Sequence, residues 1–113
     1  MTESADPVQS ALAKLKERYR TELPMKVARL TDQVATFLGS PWEQELSFTT
    51  YRMMHSLAGS AGTYGFAELG MIARGAEAIL KESLESKTPL AEPRKADLNA
   101  ALQQLKDKAA APG

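Results

Sequence analysis

The chain contains a single histidine and no cysteine, so His55 is its only imidazole. These counts exclude a disulfide, a thiolate nucleophile and a zinc site that needs two imidazoles. His55 lies in a segment with helical apolar spacing, where Gly59 follows it by four residues and Gly62 by seven. An exposed imidazole can act as a nucleophile, because its neutral form keeps one nitrogen lone pair. The helix that carries His55 decides whether a reactant can approach the ring.

Apolar residues recur at helical spacing from Leu46 to Ala61 and define one face of this segment. With successive residues 100° apart, His55 lies about 180° from Leu46, directly opposite the predicted core. The predicted core positions are Leu46, Thr50, Met53, Leu57 and Ala61. The predicted partner-docking residues on the outer side are Phe48, Tyr51, Arg52, Ser56, Ala58, Gly59 and Gly62.

Two features of this outer face are unusual for a surface helix. Phe48 and Tyr51 are large apolar groups where solvent is expected, and Gly59 and Gly62 each cost about 1 kcal/mol of helix stability relative to Ala. We interpret both features as a surface cleared for another protein, with the aromatic pair as its apolar edge. The alternatives are early fraying at the glycines, packing of the aromatic pair against the first helix, and a surface histidine without a role.

The remaining sequence predicts helices separated by short connections and no strand. Five predicted helices begin near Asp6, Thr21, Ser40, Phe66 and Pro93, each of them a typical cap or first-turn signal or the start of an apolar period. The predicted core positions outside the His55 segment are Val8, Leu12, Leu15, Tyr19, Leu23, Val27, Leu30, Val34, Phe37, Leu69, Ile72, Ala76, Ile79 or Leu80, Leu84, Leu98, Leu102 and Leu105.

Short connections between amphipathic helices favour antiparallel neighbours. The expected fold is therefore all-α: an antiparallel up-down four-helix bundle with a short extra N-terminal helix as a cap. We expect one domain over residues 1–113, in which residues 1–6 and 109–113 are frayed or serve as linkers.

The charges exclude partners that are recognised through bulk charge. Lys plus Arg and Asp plus Glu both number 14, which gives a formal net charge of zero. A nucleic-acid binder or a binder of anionic membranes normally carries a basic excess. The polar N-terminus lacks the apolar core of a signal peptide, and no apolar run is long enough to span a bilayer. We expect a cytoplasmic domain that contacts neither nucleic acid nor membrane.

The segment from His55 to Leu69 resembles the signature of histidine-containing phosphotransfer (HPt) domains. That signature places an apolar residue two positions after the histidine, Gly at four and ten, small residues after the first Gly, and Leu at fourteen. The matching residues are His55, Leu57, Gly59, Ser60, Ala61, Gly65 and Leu69. The remaining helices fit the four-helix bundle of this family in number and length.

The resemblance implies a phosphocarrier of two-component signalling with His55 as the phosphoacceptor. The implied donor is an aspartyl phosphate on a receiver domain or a histidine kinase, and the implied acceptor is a receiver aspartate. The carrier is expected to bind no cofactor and no metal, since the receiver holds the Mg²⁺. It is also expected to be a monomer and not to be an enzyme. Many members have Lys three residues after the histidine, where this chain has Ala58. Arg52, one turn before His55, is a candidate for the missing positive charge, unless it is simply solvated.

Three alternatives come from other classes of protein. A helical scaffold would bind a receiver or a partner helix without carrying phosphate. A metal- or haem-binding bundle would combine His55 with a methionine, of which Met53, Met54 and Met71 are the nearest, although Met53 is predicted to face the core. A hydrolase is disfavoured because the acidic residues are scattered without a paired constellation.

Overall fold

The computed structural model of the chain describes residues 6–111 and forms a bundle of four helices. The helices are α1 (Pro7–Gly39), α2 (Gln44–Thr63), α3 (Ala67–Ser86) and α4 (Glu92–Ala110). Connections of three to five residues join them, so neighbouring helices run antiparallel. Each helix packs against the next, and α4 packs back against α1, which closes the bundle. The predicted all-α four-helix bundle is confirmed.

The expected separate N-terminal helix is instead the first part of α1. Asp6 caps this helix as predicted, since its Oδ1 accepts a hydrogen bond from the Val8 amide at 2.8 Å. Thr21, predicted to begin a second helix, instead donates its hydroxyl to the Glu17 carbonyl at 3.0 Å within the helix. Pro24 lies inside α1 and costs about 3 kcal/mol there. Burial of the continuous apolar face on either side of Pro24 offsets this cost, so the chain stays helical.

The N-terminal part of α1 extends beyond the rest of the bundle and leaves its apolar side uncovered. Val8 and Leu12 are 64% and 57% exposed, and Leu15 is also exposed, so their prediction as core residues was wrong. The buried face begins at Tyr19, where Tyr64 and Phe66 of the α2–α3 connection stack on its ring at 4.8 and 5.7 Å between centroids. No described helix reaches past this level to cover the earlier residues.

The core contains most of the other predicted positions. Leu98, Leu102 and Leu105 of α4 are buried as expected, whereas Ile72 and Leu84 of α3 are only half-buried. The buried core of α1 comprises Tyr19, Leu23, Val27, Leu30, Val34 and Phe37. The buried core of α3 comprises Leu69, Gly70, Ala73, Ala76, Ile79, Leu80 and Ser83.

The structure describes only Asp6 and residues 109–111 of the two chain ends that are expected to be frayed or linkers. Ala109 is buried, and α4 continues to Ala110, because the helix still packs against α1 at this level. The predicted linker character of residues 1–5 and 112–113 lies outside the described residues.

The connection between α1 and α2 begins the second helix later than the sequence predicts. Ser40 does not cap α2 but donates its hydroxyl to the Thr36 carbonyl at 2.7 Å, at the end of α1. Helix α2 begins at Gln44 and ends at Thr63, one residue beyond the predicted end at Gly62. Trp42, the only tryptophan, packs partly buried against the core at this end of the bundle, beside Pro89 of the α3–α4 connection.

Helices α2 and α3 approach each other closely because small residues line their contact. A Cβ atom on Gly70 would lie 3.3 Å from the Ala58 carbonyl oxygen and 3.4 Å from the Gly62 amide nitrogen. Gly65, with φ of 86°, makes the turn between the two helices in a conformation that favours glycine. This close approach fixes how α2 is rotated, and therefore where His55 points.

The α2–α3 turn is also tied to α1 through Tyr19. The Tyr19 hydroxyl and the Ser60 hydroxyl form a hydrogen bond of 2.6 Å. Burial raises the pKa of Tyr19 above its usual value, and the Ser60 contact opposes this effect only in part. The phenol therefore remains protonated and joins the end of α2 to α1.

Candidate functional site

His55 lies on the exposed surface of α2, at the edge next to α3. Its side chain is 61% exposed. The core face of α2 is turned by about 50° from the predicted one, since Met54 is fully buried while Met53 is only half-buried. His55 is therefore beside the α2–α3 contact rather than directly opposite the core. The cause is that α2 packs against both α1 and α3, which brings α3 residues within reach of the ring.

Glu77 of α3 forms a hydrogen bond with the imidazole of His55. Its Oε2 lies 2.8 Å from Nδ1 of His55, and its side chain is only 16% exposed. A carboxylate accepts hydrogen bonds and does not donate them, so Nδ1 carries the proton in the neutral ring. The lone pair of that tautomer is then on Nε2, the other ring nitrogen.

The second oxygen of the Glu77 carboxylate shows how much Glu77 depends on its contact with His55. Oε1 is buried and has no hydrogen-bond partner among the described residues. A carboxylate that has left water needs compensating hydrogen bonds, and the bonds of Glu77 converge on its other oxygen. We infer that the position of Glu77 and the orientation of His55 depend on each other.

Tyr51 supports the same arrangement from one turn earlier on α2. Its ring stacks on the His55 imidazole with centroids 6.0 Å apart, and its hydroxyl donates to Glu77 Oε2 over a long 3.4 Å. Tyr51 is half-buried, and its predicted role as a docking residue stays a prediction. It packs against the histidine and its carboxylate instead of against α1.

The surface on the C-terminal side of His55 is open, as predicted from its glycines. A Cβ atom on Gly59 or Gly62 would meet no other group within 4 Å, so packing in the bundle does not require glycine at either position. Helical side chains lean toward the N-terminus, so a side chain at position 59 would lie over His55. The absence of that side chain leaves the ring accessible.

Ala58 is a correction to the predicted docking set. It is 1% exposed and faces α3, where Gly70 packs against its backbone. The prediction placed it on the outer face because the assumed core direction was too far from α3. Ala58 therefore belongs to the contact between α2 and α3. This chain has no cation at the position where many HPt domains have Lys.

The remaining predicted docking residues lie on the other flank of His55, toward α1. Phe48 is 45% exposed, and the Arg52 guanidinium carbon lies 5.8 Å from the centre of its ring. Arg52 thus leans toward Phe48, one turn away from His55, and does not contact the imidazole. Ser56 is exposed next to the histidine. Phe48, Arg52 and Ser56 all line one groove between α1 and α2.

Glu77 was not among the predicted site residues, although the sequence contains a signal for it. On α3 it falls on the same stripe as Gly70, Ala73, Leu80 and Leu84, at spacings of three, four and seven residues. A single carboxylate within an otherwise apolar or small stripe indicates a buried partner. The partner could not be identified without knowing how α2 and α3 align.

The methionines of the metal or haem alternative lie in three different settings. Met54 is fully buried and Met71 is exposed on α3, while Met53 is half-buried, packing against the core and lining the α1–α2 groove. Within residues 6–111, no group of three or more His, Asp or Glu side chains is arranged to hold a metal ion. None of the helices described in this range is long and apolar enough to cross a membrane.

Comparison with known proteins identifies one family. The family model described as Hpt domain matches residues 14–108, which includes all of α2 and α3 and most of α1 and α4. No curated protein and no solved structure matches the chain significantly.

Proposed function

The chain belongs to the Hpt domain family, and from this premise we propose that it carries a phosphoryl group on Nε2 of His55. Domains of this family transfer phosphoryl groups in two-component signalling, as carriers rather than enzymes, and interact with receiver domains or kinases. The contact between Glu77 and Nδ1 carries the proposal for this residue, since it leaves the exposed nitrogen as the nucleophile.

The transfer step follows from this tautomer. The Nε2 lone pair attacks the phosphorus of an aspartyl phosphate on the partner, the bond from phosphorus to the aspartate oxygen breaks, and the carboxylate leaves with the electron pair. The imidazole becomes positively charged with its proton still on Nδ1, and the negative Glu77 stabilises this charge. Transfer to an acceptor aspartate is the same step in reverse.

The chain contributes positioning and charge stabilisation to this reaction, and the partner contributes the rest. In-line transfer requires the donor oxygen, the phosphorus and Nε2 to align. The clear surface around Gly59 and Gly62 allows the partner's active site to approach along that line. We propose that the receiver supplies the reacting carboxylate and its Mg²⁺.

Labelling with radioactive phosphate tests the proposed site. The wild-type chain and His55→Gln are incubated with the phosphorylated receiver domains of the same organism. We expect label on the wild type alone, stable in base and lost in acid, with unchanged helix content in the variant. Phosphate carried by a serine or threonine would instead survive acid.

Full labelling of His55→Gln would refute the assignment. A scaffold that carries no phosphate would bind a receiver while the wild type remains unlabelled, which separates this alternative from the proposal.

A further inference from the structure

The phosphoryl group proposed on Nε2 of His55 receives no cation from α2 as this helix stands. Such a group adds about 1.5–2 negative charges at neutral pH, and the ring that carries it already contacts the carboxylate of Glu77. Arg52 is the only cation of α2, and its guanidinium carbon lies 5.8 Å from the centre of the Phe48 ring, away from the imidazole. Position 58 is a buried alanine. The compensating charge has to come from another helix or from the partner.

Helix α3 carries a lysine one turn beyond Glu77. Lys81 follows Glu77 by four residues, so the two side chains are neighbours on the helix surface, with about 5–6 Å between their Cβ atoms. Helical side chains lean toward the N-terminus, so the side chain of Lys81 covers the turn that contains Glu77 and faces His55. The nearest cations of α1, Lys26 and Arg29, line the groove on the other flank of the histidine. Lys81 is therefore the cation best placed to reach Nε2.

Lys81 is also uncommitted in the structure. It is exposed, and acidic residues stand one turn away on both sides, at Glu77 and Glu85. Lys81 nevertheless forms an ion pair with neither of them, nor with another residue in the part of the chain that the structure describes. Arg94 near the start of α4, by contrast, is engaged by Glu82. A lysine has a flexible four-carbon stem, so its ammonium can turn toward a phosphoryl group once that group is present.

We propose that Lys81 binds the phosphoryl group of phosphorylated His55 and stabilises it, which the alanine at position 58 cannot do. The proposal rests on the proposed function and adds a residue to the same site. The phosphorylated ring then lies between two opposite charges, with the Glu77 carboxylate at Nδ1 and the Lys81 ammonium at the phosphoryl oxygens. Lys81 makes and breaks no covalent bond and acts only on the charge of the phosphorylated state.

The equilibrium of phosphoryl exchange tests this role, because it is unaffected by docking. The probe is the receiver domain that exchanges phosphate with the wild-type chain, and the measured quantity is the equilibrium ratio of phosphohistidine to receiver aspartyl phosphate. Contacts between the two proteins change how fast this ratio is reached and not its value for the separated proteins. Lys81→Gln is compared with Arg74→Gln, which removes the same charge from exposed α3 surface three residues before Glu77. The Arg74 side chain leans toward the N-terminus of α3, away from the turn that contains Glu77.

The expected result is a phosphohistidine ratio about two- to fivefold lower for Lys81→Gln, which is the size of an exposed ion pair, and a change of less than about 1.5-fold for Arg74→Gln. Lys81→Arg keeps the charge and is expected to retain the wild-type ratio. The loss in Lys81→Gln shrinks as ionic strength rises from about 0.01 M to about 1 M, because the screening length falls from about 30 Å to about 3 Å.

An unchanged ratio in Lys81→Gln would overturn the proposal. Equal losses in Lys81→Gln and Arg74→Gln would also overturn it, since they would reflect the overall charge of α3 instead of one ammonium group. A loss in Lys81→Arg as large as that in Lys81→Gln, or one that salt does not change, would exclude the electrostatic role. These outcomes leave the proposed function intact, whereas a wild-type chain that takes no phosphate from any receiver would refute the proposed function and the role of Lys81 together.

Discussion

Replacing Glu77 by Gln removes the charge beneath His55 while keeping the shape and an acceptor oxygen. The amide carbonyl can still accept a hydrogen bond from Nδ1, so the ring keeps its orientation. What is lost is the attraction between a carboxylate and the positive charge that the imidazole gains in the proposed transfer. Glu77→Ala removes the acceptor as well, so its effect on the rate is expected to be larger.

The size of the effect follows from the geometry of the contact. The Nδ1 to Oε2 distance is 2.8 Å and Glu77 is largely buried, so the contact belongs among hydrogen bonds to charged groups, worth about 1.5–3 kcal/mol. A neutral hydrogen bond is about half as strong. With the ring itself exposed, we expect Gln to cost about 1–1.5 kcal/mol of transition-state stabilisation. That corresponds to a rate about 5- to 13-fold lower.

The assay uses phosphoramidate, a small phosphoryl donor that needs no docking surface. The rate of phosphohistidine formation on Glu77→Gln and Glu77→Ala is compared with that on Glu85→Gln, a matched loss of charge on exposed α3 surface. Nitrogen NMR of His55 reports the tautomer in each variant. A Glu77→Gln rate equal to that of Glu85→Gln would refute the stabilising role of this carboxylate.

Other substitutions test the surface and the supports of the bundle. Gly59→Leu is expected to slow transfer from the receiver about 100-fold by displacing the partner. Equal transfer rates for Gly59→Leu and wild type would contradict the open-surface interpretation. Gly59→Ala is expected to raise the free energy of unfolding by about 0.5–1 kcal/mol. Tyr19→Phe loses the Ser60 hydrogen bond and about 0.5–1.5 kcal/mol in thermal unfolding. Because the pKa of Tyr19 is raised, wild-type stability falls above about pH 10, where the unfolded phenol ionises first, and Tyr19→Phe is expected to lose less over this range. The hydrogen bonds from Arg94 lower the pKa of Glu82. Their contribution to the stability of the folded chain is therefore present above about pH 4.5 and lost in more acid solution. A Glu82→Gln variant with the same acid unfolding profile as wild type would contradict this contribution.

The apolar period of the sequence predicted the bundle because most of its helices bury one continuous face. It placed Leu98 and Leu105 correctly and predicted an exposed His55 with open backbone after it. The break at Thr21 was wrong, since local cap and proline signals were given more weight than the apolar face that continues through Pro24. Tertiary burial outweighs such local preferences.

The details of the site depended on information that a single helical wheel does not contain. Choosing Leu46 as the centre of the core face of α2 turned the helix too far from α3. This error placed the buried Ala58 outside and left the buried Met54 out of the predicted core. The contact between His55 and Glu77 joins residues 22 positions apart on two helices, whose alignment depends on their packing in three dimensions, including the close approach at Gly70.

Trp42 provides an intrinsic fluorescence probe because of its position in the bundle. This residue is the only indole of the chain, and it packs in the α1–α2 connection, two residues before the start of α2, from which His55 lies about 17 Å along the helix. A phosphoryl group on the imidazole is too remote to quench it directly. Any change in its emission when a partner arrives would therefore report a shift transmitted along the helices, whereas constant emission would show that the bundle behaves as a rigid platform.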